Sequence, residues 1–177
     1  MATFGEVKKK IAEFHTKLVD KAPVIIAETA TEYFKGRFTE KEFDGNPWEP
    51  TKREVRRGSL MVRSGALAAS VRPSFVSTDQ VRISAGGDKV PYARIHNEGG
   101  TINHPGGTAW TMVPEAKGSK VLKPVWVTNK KAQETGKKYP RTPPHAITIP
   151  QRQFMGDSRE LNDMILRNLN KLIQDLT

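Results

Sequence analysis

The sequence predicts an α+β fold: a small antiparallel β-sheet packed with a long, kinked N-terminal helix and a C-terminal amphipathic helix. Three observations lead there. Apolar residues at both ends recur every three or four positions, the period of one helix face. Short segments between them alternate apolar and polar residues, the period of a strand. Gly-, Pro- and Ser-bearing turns punctuate those segments, and no internal repeat is present, which leaves helices at the ends of a sheet.

Phe4, Val7, Ile11, Phe14 and Leu18 step alternately by three and four, so all five share a helix face. Pro23 lacks an N–H, which predicts a kink or a restart there. Ile25, Ile26, Ala30, Tyr33 and Phe34 continue as helix, with Gly36 as terminator. Residues 1–42 carry eight basic and seven acidic side chains, as a solvated outer face does. The segment 43–50, Phe-Asp-Gly-Asn-Pro-Trp-Glu-Pro, is dense in turn formers and holds one anchor-sized aromatic, Trp48. Residues 51–68 are basic and weakly helical. Ser70–Phe75 and Gln80–Ser84 alternate like strands around Ser77-Thr78-Asp79, a hairpin signature. Tyr92–His96 reads as one helical turn closed by Gly99-Gly100. The Gly/Pro-rich stretch 99–107 leads to two strands, Ala109–Val113 and Pro124–Thr128. Residues 129–145 are Lys- and Pro-rich, within a flexible basic loop spanning about 115–145. Ala146–Ile149 forms a strand. Leu161, Ile165, Leu169, Leu172 and Leu176 then share a helix face, and Asp157 with Glu160 has the capping-box spacing.

A length of 177 residues suits one domain, 1–177. Hydrophobic residues make up 36%, a low share, but 13 aromatics and clustered apolar positions still support a modest core. No run approaches the roughly 18 apolar residues of a membrane span, and the start lacks the apolar segment of a secretory signal. With no cysteine, disulfides, thiolate zinc sites and cysteine nucleophiles are excluded together. The expectation is a soluble protein made in the cytosol.

Little in the chain points to catalysis. His15 borders the apolar face of the first helix. His96 and His104, eight apart, match no zinc spacing, and His145 follows two prolines. Arg63-Ser64-Gly65 and Arg57-Gly58-Ser59 do not complete Gly-x-Ser-x-Gly. Between Glu54 and Glu115 the only acids are Asp79, Asp88 and Glu98, so carboxylate pairs are scarce. Gly86-Gly87 and Gly106-Gly107 lack the Lys-Ser/Thr of a phosphate cradle. We therefore expect no enzyme activity, no catalytic residues, no cofactor and no metal.

The net charge of +10 concentrates in two places. Lys52, Arg53, Arg56, Arg57 and Arg63 face one acid, Glu54. Lys117, Lys120, Lys123, Lys130, Lys131, Lys137, Lys138 and Arg141 face one acid, Glu134. The second group, above all Lys130, Lys131, Lys137, Lys138 and Arg141, forms a basic contact patch. Such patches neutralise phosphates or meet an acidic protein. A basic nucleic-acid-binding protein without catalytic activity is the alternative reading, although no RNP or zinc-finger pattern supports sequence readout.

Four motifs in register are more specific. Asn46-Pro47-Trp48-Glu49-Pro50 follows the first helix. Leu60-Met61-Val62-Arg63-Ser64-Gly65-Ala66-Leu67 comes next. Then come Tyr92-Ala93-Arg94-Ile95-His96-Asn97-Glu98-Gly99-Gly100 and Ile149-Pro150-Gln151-Arg152-Gln153-Phe154-Met155-Gly156. In order and spacing they resemble the phage virion-morphogenesis (tail-completion) family of Mu-type and related contractile-tailed phages. The resemblance covers residues 34–177. Gln151 stands where the family often has Ala, and the Lys-rich segment 117–141 looks like an insertion.

In purely physical terms, Pro150 breaks a strand and Phe154 buries itself ahead of the last helix. Arg152 reaches a carbonyl or carboxylate at the turn. Tyr92 and His96 pack on the sheet, with Gly99 and Gly100 permitting a tight reversal. The resemblance marks Trp48, Gly65, Leu67, Tyr92, His96, Gly99, Gly100, Pro150, Arg152 and Phe154 as the structural and interaction motif. It implies a structural virion assembly protein acting in tail completion and head–tail joining. It also implies a homo-oligomeric ring near six-fold symmetry on the tail, with other tail or connector proteins as partners. DNA contact would be non-specific at most, with no membrane contact. The place implied is the tail or neck of the virion, reached from the host cytoplasm.

Overall fold

The computed structural model describes residues 3–51, 57–107, 109–114, 122–127 and 143–176. Its first element, α1 (Phe4–Glu40), is one helix of 37 residues, about 55 Å long at 1.5 Å per residue. Thr3 caps it: its hydroxyl accepts from Glu6 N at 3.4 Å, and the Glu6 carboxylate accepts from Thr3 N at 2.8 Å. The chain does not restart at Pro23, which is buried inside the helix. One lost N–H bond costs about 3 kcal/mol, and the buried row Ala27, Ala30, Phe34 and Phe38 that follows holds the helix together. Nor does Gly36 end it. Lys41 does, in the left-handed conformation (φ 64°), donating its N–H to Arg37 O at 2.8 Å.

Among the described residues the apolar row of the first half has no core beneath it. Phe4 is 86% exposed, Val7 43% and Ile11 63%, and no residue between 4 and 22 is buried. All burial in α1 lies from Pro23 onward.

Two compact units follow from the chain path: residues 1–99 with 150–177, and residues 100–149. In the first, β1 (Glu42–Phe43) and β2 (Asn46–Pro47) form a minimal hairpin. Asp44 (φ 51°) and Gly45 (φ 78°) make its two-residue turn, the Asp-Gly chemistry that a primed turn requires. A tight reversal follows, with Ser59 and Val62 exchanging both backbone bonds at 2.9 Å. Gly58 is obligatory there, because a Cβ would stand 2.2 Å from Val62 O. The Lys41 ammonium donates to Phe38 O, to Ser59 Oγ at 3.1 Å and to Leu60 O at 2.8 Å. Burial holds its pKa below the ordinary value. Next come the short helix α2 (Ala66–Ala69), the hairpin β3 (Arg72–Val76) with β4 (Val81–Ser84), and α3 (Ala93–Glu98).

The unit closes with α4 (Arg159–Leu176). Contacts step from Tyr33–Ser158 to Thr29–Asn168, so α4 runs antiparallel to α1. Phe34, Phe38, Phe43, Trp48, Leu67, Val71, Val90, Ala93, Phe154 and Leu161 belong to one core. Phe38 lies at its centre, 5.7 Å from the Trp48 ring and 5.0 Å from Phe154.

In the second unit, β5 (Gly100–His104) pairs with β8 (His145–Ile149), and β6 (Ala109–Pro114) with β7 (Leu122–Val127), all antiparallel. Among the described residues the strands therefore form four two-stranded ladders rather than one sheet. The α+β class holds. Each hairpin pairs locally, and only β5–β8 joins strands distant in the chain.

The cap of α4 is Ser158, not Asp157. Ser158 Oγ accepts from Leu161 N at 3.2 Å and donates to Asp44 Oδ1 at 2.8 Å. A hydroxyl has one proton, so the Tyr33 phenol is the donor to Ser158 Oγ at 2.7 Å, sharing its proton with Glu160 Oε2 at 3.2 Å. Asp44 Oδ1 also accepts from Glu160 N at 3.3 Å. These two bonds, the Ser158 hydroxyl first, hold the Asp44 carboxyl below its ordinary pKa. Burial raises that of Tyr33. Arg37, buried and stacked 4.2 Å over the Tyr33 ring, pairs with Glu40 at 2.8 Å and Glu160 at 3.3 Å.

Phe154→Ala should lower the unfolding free energy by about 3–5 kcal/mol. Ile11→Ala, in the exposed row, should change it by less than about 0.5 kcal/mol. Urea titration of both variants tests this, and comparable losses would contradict the burial described. Ser158→Ala should cost about 0.5–2 kcal/mol as a lost cap. Combined with Asp44→Ala it should be less than additive, because the two share one bond. Strict additivity in that cycle would separate them.

Candidate interaction site

Gln151–Ser158 has no regular structure, yet Arg152, Phe154 and Ser158 are buried. Buried backbone polar groups need partners, and here neighbouring segments supply them. Arg152 N donates to His96 O at 2.8 Å. Trp48 Nε1 donates to Gln153 O at 2.6 Å. Asn97 Oδ1 accepts from Phe154 N and Met155 N, both at 2.9 Å, and its Nδ2 donates to Met155 O at 3.1 Å. The strap passes so close to α3 that a Cβ on Gly99 (φ 74°) would stand 2.9 Å from Gln151 N.

Arg152 is 7% exposed, and its Nε donates to Glu49 O at 2.9 Å. No described carboxylate lies within ion-pair distance of it. With Arg57, Arg63, Tyr92 and His96 it lines a cavity of about 1090 Å³. Residues 59–67 form much of the wall, including Leu60, Met61 and Leu67. Among the described residues neither Asp nor Glu contributes to the lining. Tyr92 meets the His96 ring edge-on at 5.8 Å and 87°. Among the described residues His96 Nδ1 is the one buried side-chain polar atom without a partner. Burial first, and the Arg152 charge second, push the His96 pKa below its ordinary value. The imidazole is neutral at pH 7.

Such a cavity suits an anionic group held against apolar wall. Two of its hydroxyls accept bonds from neighbours, Ser59 Oγ from Lys41 Nζ and Ser64 Oγ from Ala66 N at 3.4 Å. Neither is paired with His96 as a nucleophile would be. Among the described residues no three His, Asp or Glu gather as metal ligands, and no helix is long and apolar enough to cross a membrane.

Of the residues singled out in the sequence, Gly65, Leu67, Tyr92, His96 and Arg152 line the cavity. Trp48 lies in the core beside the strap and Phe154 in the core as part of it, while half-buried Pro150 precedes the strap and Gly99 lies against its first residue, Gln151. Gly100 opens β5 in the second unit. The basic patch of Lys130, Lys131, Lys137, Lys138 and Arg141 lies outside the described residues, as do Lys52, Arg53 and Arg56. Sequence reasoning passed over Asn97, whose signal was a lone amide between His96 and the paired glycines. It also passed over Asp44 and Ser158.

Arginines and apolar side chains wall the cavity, and the strap contributes Arg152 to that wall. The sequence profile of the phage virion morphogenesis family matches residues 3–174, and the chain belongs to that family. Its role is in phage virion assembly. No curated protein and no solved structure matches the chain.

A neutral buried His is protonated more readily in the unfolded chain, so its contribution to stability is complete above pH 6.5. That contribution is lost as the pH falls below this value, toward the lower folded pKa. Lowering the pH from 7.5 to 5.5 should therefore reduce Tm more in the native protein than in His96→Gln. Parallel melting profiles of the two across that range would refute this.

Proposed function

We propose that the protein completes the phage tail at its head-proximal end and joins it to the head, acting through surfaces rather than catalysis. Family membership over residues 3–174 carries the reading. The clustering of Tyr92, His96, Arg152 and Leu67 around one arginine-lined cavity supports it. The copies act as a ring on the tail, since contacts that join two different faces close into rings when the rotation permits. The partners are tail-tube, sheath-terminating or connector proteins that present acidic surface to Arg57, Arg63 and Arg152. The site of action is the tail or neck of the virion.

A phage deleted for this gene should yield full heads and separate tails that fail to join or are misterminated, seen by electron microscopy. Arg57→Glu with Arg63→Glu should reproduce the defect with Tm unchanged. Normal infectious particles from the deletion would sink the assignment.

A further inference from the structure

The first half of α1 carries an apolar seam that meets no core among the described residues. Phe4, Val7, Ile11, Phe14 and Leu18 repeat by 3, 4, 3 and 4, which is the a and d spacing of a heptad. Phe4, Val7 and Ile11 are exposed and Phe14 and Leu18 only half-buried. With Phe4 at a, the flanking e and g positions between 8 and 17 are Lys8, Lys10, His15 and Lys17. None is acidic. The acids Glu6, Glu13 and Asp20 all fall at c, turned away from the seam. Glu13 pairs there with Lys9, at f, at 3.9 Å. Among the described residues Lys8, Lys10 and Lys17 enter no ion pair.

We propose that this half of α1 is a docking seam for an apolar helix flanked by acidic residues on another protein. Residues at e and g set partner choice in paired helices. Two copies of α1 would oppose Lys10 to Lys17 when antiparallel and Lys10 to His15 when parallel, and like charges across an interface disfavour that pairing. A partner with Glu or Asp at its own e and g positions meets every lysine with an acid. The stripe occupies the a and d positions alone, which is the width of a helix–helix seam. A helix lying in a membrane surface presents a broader face. The seam is separate from the arginine-lined cavity and independent of the ring reading.

The test uses the full chain and two synthetic three-heptad helices with Leu at a and d, one with Glu and one with Lys at e and g. Fluorescence anisotropy should show the Glu-flanked peptide binding at least tenfold more tightly, with affinity falling as salt rises. Ile11→Asp should weaken that binding at least tenfold with Tm unchanged. K8E, K10E and K17E together should reverse the preference between the peptides. Equal affinity for both peptides, or none for either, would overturn the proposal. So would self-association in sedimentation that Ile11→Asp abolishes, which would give the seam to a second copy. Ile11-dependent binding to vesicles of 30% phosphatidylserine, without peptide binding, would give it to a membrane.

Discussion

Irregular backbone can be buried only where each N–H and C=O finds a partner, and the strap Gln151–Ser158 meets that condition with borrowed groups. The Asn97 amide takes two N–H groups and gives one bond back, Trp48 takes a carbonyl, and His96 O takes Arg152 N. With those bonds in place Phe154 can sit at 1% exposure against Phe38. Remove them and the strap returns to water, and the core loses its centre. The same strap delivers Arg152 to the cavity wall, so the packing of the core and the charge of the site depend on one set of bonds.

The second tie lies at the junction of α1, the β1–β2 turn and α4. Asp44, Tyr33, Ser158, Glu160 and Arg37 share bonds among three chain segments. A buried cation is costly unless paired, and Arg37 has Glu40, Glu160 and the Tyr33 face. The junction pins the C-terminal half of α1, whereas residues 4–22 of the helix are not buried. Rigid support at one end and bare apolar surface at the other is a sound arrangement for a protein whose work is assembly.

Much of this was legible in the residues. Period alone marked the helices at both ends and the hairpin around Ser77-Thr78-Asp79, because each is a local pattern. Period could not tell whether Phe4, Val7 and Ile11 meet a core, since it reports a face and not its neighbour. Pro23 misled because its missing bond is a local cost, outweighed by burial further along. The cap moved from Asp157 to Ser158 because Asp44 and Tyr33 take part, more than 110 residues away. Tyr92, His96 and Arg152 stood out by motif and do meet at one cavity. Asn97 did not stand out, since its partners are backbone atoms that no side-chain pattern reveals.

The position of the strap in the chain bears on how the protein is made. The residues that close the core, Phe154, Ser158 and Leu161, leave the ribosome after the segments they bind. Until then α1 has neither its antiparallel neighbour nor the partner of Asp44, and Phe38 and Trp48 stand open to water. A nascent chain that has not reached residue 150 lacks the strap, and with it Arg152 of the cavity wall and the bonds that bury Phe154. The core can therefore close only once the strap has been made, whatever the order in which the earlier segments settle.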